Sequence, residues 1–285
     1  MDPMPRIAVV TFATTKSDKP FKNYSLEIKR LRDSTSKYNV DFHVFTLDNL
    51  RRSISGTRFK HYIRFRKGVG GWFWKPTVIL KYLKENQYDY VLYMDVDCVL
   101  LKDPLIIINS LPRNVEFAGF SMNACIGDWT AARIIKSLAA EELKNFNMWT
   151  AGILIVKNTK SSAEYLTMWS EIMSNPYDLF ESPFDPDKSK HRHDQSLLSI
   201  LIARGDVKIH DLGAGFYSEG IEATSKNIGE SWVATGVNIG NPLHISQVGF
   251  LARLHRAIRH RYLGLMSGAL WLFFIPLHFF AKQKR

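Results

Sequence analysis

The sequence predicts an α/β fold, a mixed sheet flanked by helices. Three observations carry this. Apolar runs of strand length recur along the chain, stretches of helical periodicity lie between them, and 285 residues with 46% hydrophobic and 23% charged side chains suffice for one large core. The same composition excludes disordered, collagen-like and disulfide-stapled classes.

The first run, Arg6 to Thr14, has neither a basic leader nor a small-residue cleavage site, so it reads as a strand and not as a signal peptide. Further strands are expected at Asp41 to Leu47, Tyr90 to Met94, Val115 to Phe120, Ala151 to Lys157 and Val207 to Asp211, rich in Val, Ile, Phe and Tyr. Pro76 suits a first helical turn, and Thr77 to Lys84 carries Ile79, Leu80 and Leu83 at helical spacing. Ser161 and Glu164 have the spacing of a capping box ahead of Tyr165, Leu166, Trp169, Ile172 and Met173, which share one helix face. Asp194 is placed to cap a helix from Gln195 to Arg204. No internal repeat or long linker interrupts the order, so residues 1–250 are expected to form one domain and 251–285 a tail.

The formal charge is +11, but its distribution matters more than its size. After Phe250 there are seven Lys and Arg and no acid, which leaves the remaining body at about +4. Leu263 to Ala281 is free of acids, Lys and Arg but contains Pro276 and His278, and basic residues flank it on both sides. An interfacial or re-entrant anchor fits that pattern better than a clean span, and an anionic membrane fits the charge better than nucleic acid. The two cysteines, Cys98 and Cys125, give neither a disulfide framework nor a CxxC spacing, which fits a reducing, cytoplasmic location with peripheral membrane association.

The stretch Asp89 to Pro104, DYVLYMDVDCVLLKDP, carries the chemistry. A bare Asp-x-Asp has little weight, because 16 Asp in this chain produce about one by chance. Indeed a second pair, Asp185 and Asp187, falls in a Pro-rich stretch and reads as solvated loop. Asp95 and Asp97 differ in following a buried-strand run, where residues two apart project to one side. Two carboxylates in one small volume resist joint ionisation unless a cation sits between them. Mg²⁺ or Mn²⁺ would satisfy them and bridge the phosphates of a nucleotide diphosphate. A plain strand-end turn is the competing reading.

The segment GWFWKPTVILKYLKENQYDYVLYMDVDCVL resembles the GT-A glycosyltransferases, nucleotide-sugar enzymes with a Rossmann-like mixed sheet and a DxD motif after a central strand. A second block, MWTAGILIVKNTKSSAEYLTMWSEI followed by HRHDQSLLSIL, is similar to the family 8 and family 34 retaining transferases. Together the blocks cover Gly71 to Leu201. The resemblance implies that Asp95 contacts the ribose side of the donor and the metal, that Asp97 is a direct metal ligand, and that His244 in NPLHISQVG completes the site, with His210 as a rival. Imidazole beside carboxylates favours Mn²⁺ over Mg²⁺.

It further implies that Thr11, Phe12 and Ala13 hold the nucleoside base and that Lys75 neutralises donor phosphate, against a bland reading of Lys75 as a surface lysine. Trp72 and Trp74 are expected to pack in the core. Asp194 and Gln195 are the expected catalytic pair, positioning the acceptor and stabilising positive charge at the anomeric carbon; were the reaction inverting, Asp194 would take the acceptor proton. Thr150 stands where many relatives carry Asn. The Gly68 to Gly71 and Gly213 to Gly215 stretches complete no phosphate loop and read as turns. His191 and His193 are metal-binding types, but a basic loop facing the acceptor is the better reading.

The expected function is metal-dependent, retaining transfer of a sugar from a UDP-sugar to a glycan or lipid-linked acceptor at a membrane face. A sugar nucleotidyltransferase would need a glycine-rich loop after the first strand, where Thr14 to Ser17 supplies none. The other alternative is a non-catalytic membrane-binding module on the same fold.

Overall fold

A computed structural model describes residues 4–85, 87–182, 184, 185 and 191–213, together with the backbone of 216–218 and 233–235. All six expected strands are present, and they form one sheet. They are β1 (Ile7–Phe12), β2 (Asp41–Phe45) and β3 (Tyr90–Met94), then β5 (Phe117–Gly119), β8 (Ile153–Lys157) and β9 (His210–Asp211), in the spatial order β2-β1-β3-β8-β5-β9. β1 runs parallel to β2 and β3, β8 runs antiparallel to β3 and β5, and β9 is parallel to β5, so the sheet is mixed.

The remaining strands are short. β4 (Cys98–Leu100) pairs with β11 (Val233–Thr235), which pairs with β10 (Phe216–Ser218); β6 (Ser121–Cys125) pairs with β7 (Asn147–Trp149).

Strand alternation splits the core in two. Ala8, Val10, Val91, Tyr93, Leu154 and Val156 face the helices Lys75–Glu85 and Lys160–Ile172, meeting Val78, Ile79, Leu166 and Trp169. Ile7, Val9, Leu92, Met94, Ile153 and Ile155 face the other way, toward Leu31 of the helix Ser25–Thr35 and Ile107 and Ile108 of the helix Pro104–Ser110. Because both faces are covered, the central strands are continuously apolar and not alternating. Each fully buried aliphatic side chain stabilises the fold by about 1.5–3 kcal/mol relative to exposure, and Trp169→Ala would cost about 3–5 kcal/mol.

Three helix starts position the site. Lys75–Glu85 begins with Lys75, and Pro76 at its second position has no N–H to leave unsatisfied. Lys160–Ile172 is capped by Thr159, whose hydroxyl accepts from the Ser162 N–H, so the cap lies two residues before the expected Ser161. Asp194–Arg204 starts at Asp194 with His193 in the cap position, which corrects the expectation that Asp194 is the cap. That helix ends at Gly205 in the left-handed conformation, φ +81°. Among the described residues no helix is long and apolar enough to cross a membrane, and the tail 251–285 lies outside them.

Candidate active site

β3 delivers Tyr93 and Asp95 to the carboxyl edge of the sheet on one side of the strand. The chain turns at once, with the Cys98 N–H donating to the Asp95 carbonyl at 2.9 Å. β8 arrives antiparallel beside it, and the Asp95 N–H donates to the Gly152 carbonyl at 2.7 Å. Gly152 is needed for this approach: a Cβ there would lie 2.8 Å from Asp95 Oδ2.

Lys75 enters the same space from the start of its helix. Only 3% of its side chain is exposed, so it is not the surface lysine of the bland reading. Its Nζ lies 3.1 Å from Asp95 Oδ1, 3.0 Å from Asp194 Oδ2 and 3.0 Å from the Ala151 carbonyl oxygen. The Tyr93 hydroxyl donates to Asp95 Oδ1 at 2.7 Å. Asp194 is fixed from behind, its carbonyl accepting from the buried Trp169 Nε1 at 3.1 Å.

One cation thus lies between two carboxylates. Burial alone would lower the Lys75 pKa, but the charges of Asp194 and Asp95 outweigh it and hold the ammonium form. Asp194 is pushed up to about 6, because burial and the Asp95 charge exceed what Lys75 gives back. The Lys75–Asp95–Asp194 trio therefore carries a net negative charge at neutral pH. Asp97 is exposed at the surface, and desolvation and then the charge of Asp95 push its carboxyl upward.

The other expected residues divide. Thr11, Phe12 and Ala13 are buried at the end of β1. The Phe12 ring packs on Trp74 at 4.0 Å between centroids, and the Ala13 N–H is taken by the Phe45 carbonyl. Thr11 Oγ1 is buried with no hydrogen-bond partner among the described residues. Trp74 is in the core as expected, with Nε1 donating to the Gly68 carbonyl, while Trp72 is partly buried with its ring 5.5 Å from that of His193. Gln195 is half-buried, its carboxamide against Met122 Sδ at 2.8 Å. Thr150 is buried with its N–H on the Phe120 carbonyl. His210 lies on the edge strand β9, three strands from β3, roughly 14 Å away at ordinary strand spacing. His244 and Asp187 lie outside the described residues.

Two loop readings are corrected. Asp185 is not solvated: it is buried and ion-paired to Arg133 at 2.7 Å. His191 and His193 are not an exposed basic loop; both are buried, each with a ring nitrogen at the Leu179 carbonyl, at 3.1 and 2.9 Å. His193 Nε2 faces Glu181 Oε1 at 3.5 Å, and Lys67 Nζ binds that same oxygen at 2.5 Å. Burial lowers the His193 pKa, only partly offset by Glu181. The imidazole is therefore neutral at pH 7, and Lys67 is the cation that holds Glu181 there. His193 also has φ +50° and ψ −115°, a strained backbone immediately before Asp194.

Sequence reasoning missed Tyr93, Gly152 and the strained backbone of His193. Tyr93 was within reach, since it shares strand parity with Asp95. The positive φ of His193 has no counterpart in residue type, because glycine would be the usual signal.

No family profile matches the chain, and no curated protein matches it. Among solved structures it is similar to mouse Xyloside xylosyltransferase 1 in its apo form, at 8% identity over 83% of this chain and 99% of that one, with a TM-score of 0.49. It is also similar to an apo structure of the WbbM bifunctional glycosytransferase, at 13% identity over 85% of this chain and 47% of that one, with a TM-score of 0.48. This chain spans about half of the latter protein. Neither likeness assigns an activity or a residue role here.

Proposed function

We propose that the chain is a metal-dependent glycosyltransferase that moves a sugar from a UDP-sugar to a glycan or lipid-linked acceptor, with retention at the anomeric carbon, at the cytoplasmic face of a membrane. The observation that carries this reading is the buried Lys75 ammonium held between Asp95, at the end of β3, and Asp194, at the start of a helix. Ligands of open α/β sheets bind at that carboxyl edge. A lysine and three carboxylates there suit a diphosphate leaving group and a developing cation.

The donor set fits a divalent ion. Asp97 is exposed, and the carboxylate of Asp95 retains acceptor capacity beyond its contacts with Lys75 and Tyr93. Among the described residues no group of three His, Cys, Asp or Glu converges, but Mg²⁺ and Mn²⁺ are commonly held by one or two carboxylates together with substrate phosphates. Asp95 and Asp97 would hold the ion, with His244 as the third ligand of the proposal; bound there, it neutralises diphosphate charge.

The chain's own residues do the rest. Lys75 orients Asp95 and Asp194 and offsets part of their negative charge beside the donor phosphate, while Thr11, Phe12 and Ala13 bound the nucleoside end. As the bond between the anomeric carbon and the phosphate oxygen breaks, the carboxylate of Asp194 and the carboxamide oxygen of Gln195 stabilise positive charge on the sugar and position the acceptor hydroxyl.

UDP release from a panel of UDP-sugars with Mn²⁺, with and without acceptor, tests the reading. Asp97→Ala is expected to abolish Mn²⁺-dependent donor binding. Neither turnover nor Asp97-sensitive binding with any donor would overturn it, and anomeric NMR of the product decides retention.

A further inference from the structure

The positive charge of the body has a location. Between Asp48 and Glu85 there is no acid in 36 residues, while that stretch holds ten Lys and Arg; the rest of residues 1–250 holds 21 Lys and Arg against 27 Asp and Glu. The body is therefore basic only through this crossover from β2 to β3.

Its first half is built as an anchored face. The helix Leu47–Ile54 buries Leu47, Leu50 and Ile54. The 3₁₀ helix Arg58–Arg64 buries Tyr62, whose hydroxyl donates to the Ser174 carbonyl, and Phe65 follows into the core. With the apolar side chains pointing inward, Arg52, Arg58, Lys60, Arg64 and Arg66 are all exposed. Four other cations of the stretch are taken up, Arg51 by Asp48, Lys67 by Glu181, Lys75 by Asp95 and Asp194, and Lys81 by Glu85; the five exposed ones show no ion pair among the described residues. In a 3₁₀ helix residues three apart eclipse, so Arg58, His61 and Arg64 form one stripe, about 12 Å from end to end and close to one Debye length.

We propose that this face, Arg52 to Arg66, docks on the anionic headgroups of a phospholipid bilayer. Charge complementarity calls for an extended anionic partner. The remaining sequence selects the bilayer: residues 251–285 add seven Lys and Arg and no acid around the apolar stretch Leu263 to Ala281. A polybasic patch together with an apolar segment is the two-signal arrangement that stable membrane attachment requires. The inference stands apart from sugar transfer and survives if that reading fails.

The test is co-sedimentation of the full chain with phosphatidylcholine vesicles, with and without phosphatidylglycerol, for wild type and for the combined variant Arg58→Gln, Lys60→Gln, Arg64→Gln, Arg66→Gln. Each charge near an anionic surface is expected to change partition about fivefold, so the variant should lose about 600-fold on anionic vesicles and little on neutral ones. High salt should erase the difference. Unchanged partition of the variant on anionic vesicles would overturn the proposal. So would wild-type binding to soluble polyphosphate with no preference for anionic over neutral vesicles. These side chains are exposed, so the unfolding midpoint should hold; if the combined variant does not fold, the pair Arg58→Gln, Arg64→Gln is expected to lose about 25-fold and decides the question the same way.

Discussion

Gly152→Ala isolates the geometry on which the proposed chemistry depends. The new Cβ would sit 2.8 Å from Asp95 Oδ2, where 3.4 Å is the near edge of ordinary contact, so the carboxylate must move by about 0.6 Å. The tip of a carboxylate usually gives way cheaply. This one is held by Lys75 at 3.1 and 3.3 Å, by the Tyr93 hydroxyl at 2.7 Å, and through its own N–H by the Gly152 carbonyl. Moving away from β8 stretches the Lys75 contact past hydrogen-bond length. The overpacking costs about 1–3 kcal/mol of stability, at roughly 2–4 °C in midpoint per kcal/mol. A displacement of this order in a positioned group costs on the order of 100-fold in rate, or about 2.7 kcal/mol of transition-state stabilisation. UDP release by the purified variant, beside its thermal midpoint, measures both. A variant within threefold of wild-type turnover and with an unmoved midpoint would refute the reasoning, because Asp95 would then not be pinned.

Three further predictions concern the buried charges behind the site. Lys75→Met leaves Asp194 and Asp95 without their cation and should cost about 3–5 kcal/mol in urea unfolding, whereas Lys75→Met with Asp194→Asn should cost less than the two single changes together; strict additivity would count against the trio. At His193, Gly should be more stable than Ala by about 1–2 kcal/mol, because only Gly adopts φ +50° and ψ −115° without strain; equal stabilities would argue that the backbone there is relaxed. Glu181 has its pKa drawn down to about 2 from 4.5, with burial opposing and His193, to the extent that it protonates, and the Lys67 ammonium outweighing it, so it contributes stability above about pH 4.5 that is lost as pH falls toward 2. Glu181→Gln should flatten the stability profile across that window, and parallel wild-type and variant curves would exclude the cause.

The sheet was readable because its central strands β1, β3 and β8 are apolar runs with both faces buried, a pattern set by local composition. The three-residue strands β4, β7, β10 and β11 were not, since three residues are too few for a period to show and their pairing comes from partners distant in sequence. The placement of Asp95 followed from strand parity. The burial of Lys75 did not, because a Lys before Pro on a helix start looks solvated until Asp194, far along the chain, supplies the second carboxylate. His191 and His193 misled for a similar reason: their burial is decided by the Leu179 carbonyl and by Phe65 and Trp72, none of them neighbours in sequence. Asp185 read as loop because Arg133, its partner, sits on another element.

The crossover from β2 to β3, acid-free between Asp48 and Glu85, is a single covalent excursion that leaves the sheet after Phe45 and returns at Tyr90, and no strand of the main sheet lies within it. Its outward residues can therefore be exchanged wholesale without altering any strand pairing, provided that the inward anchors and Lys75 are kept. Descendants of one ancestral chain could in this way shift from one docking partner to another by surface substitution alone, while the catalytic groups stay under separate selection.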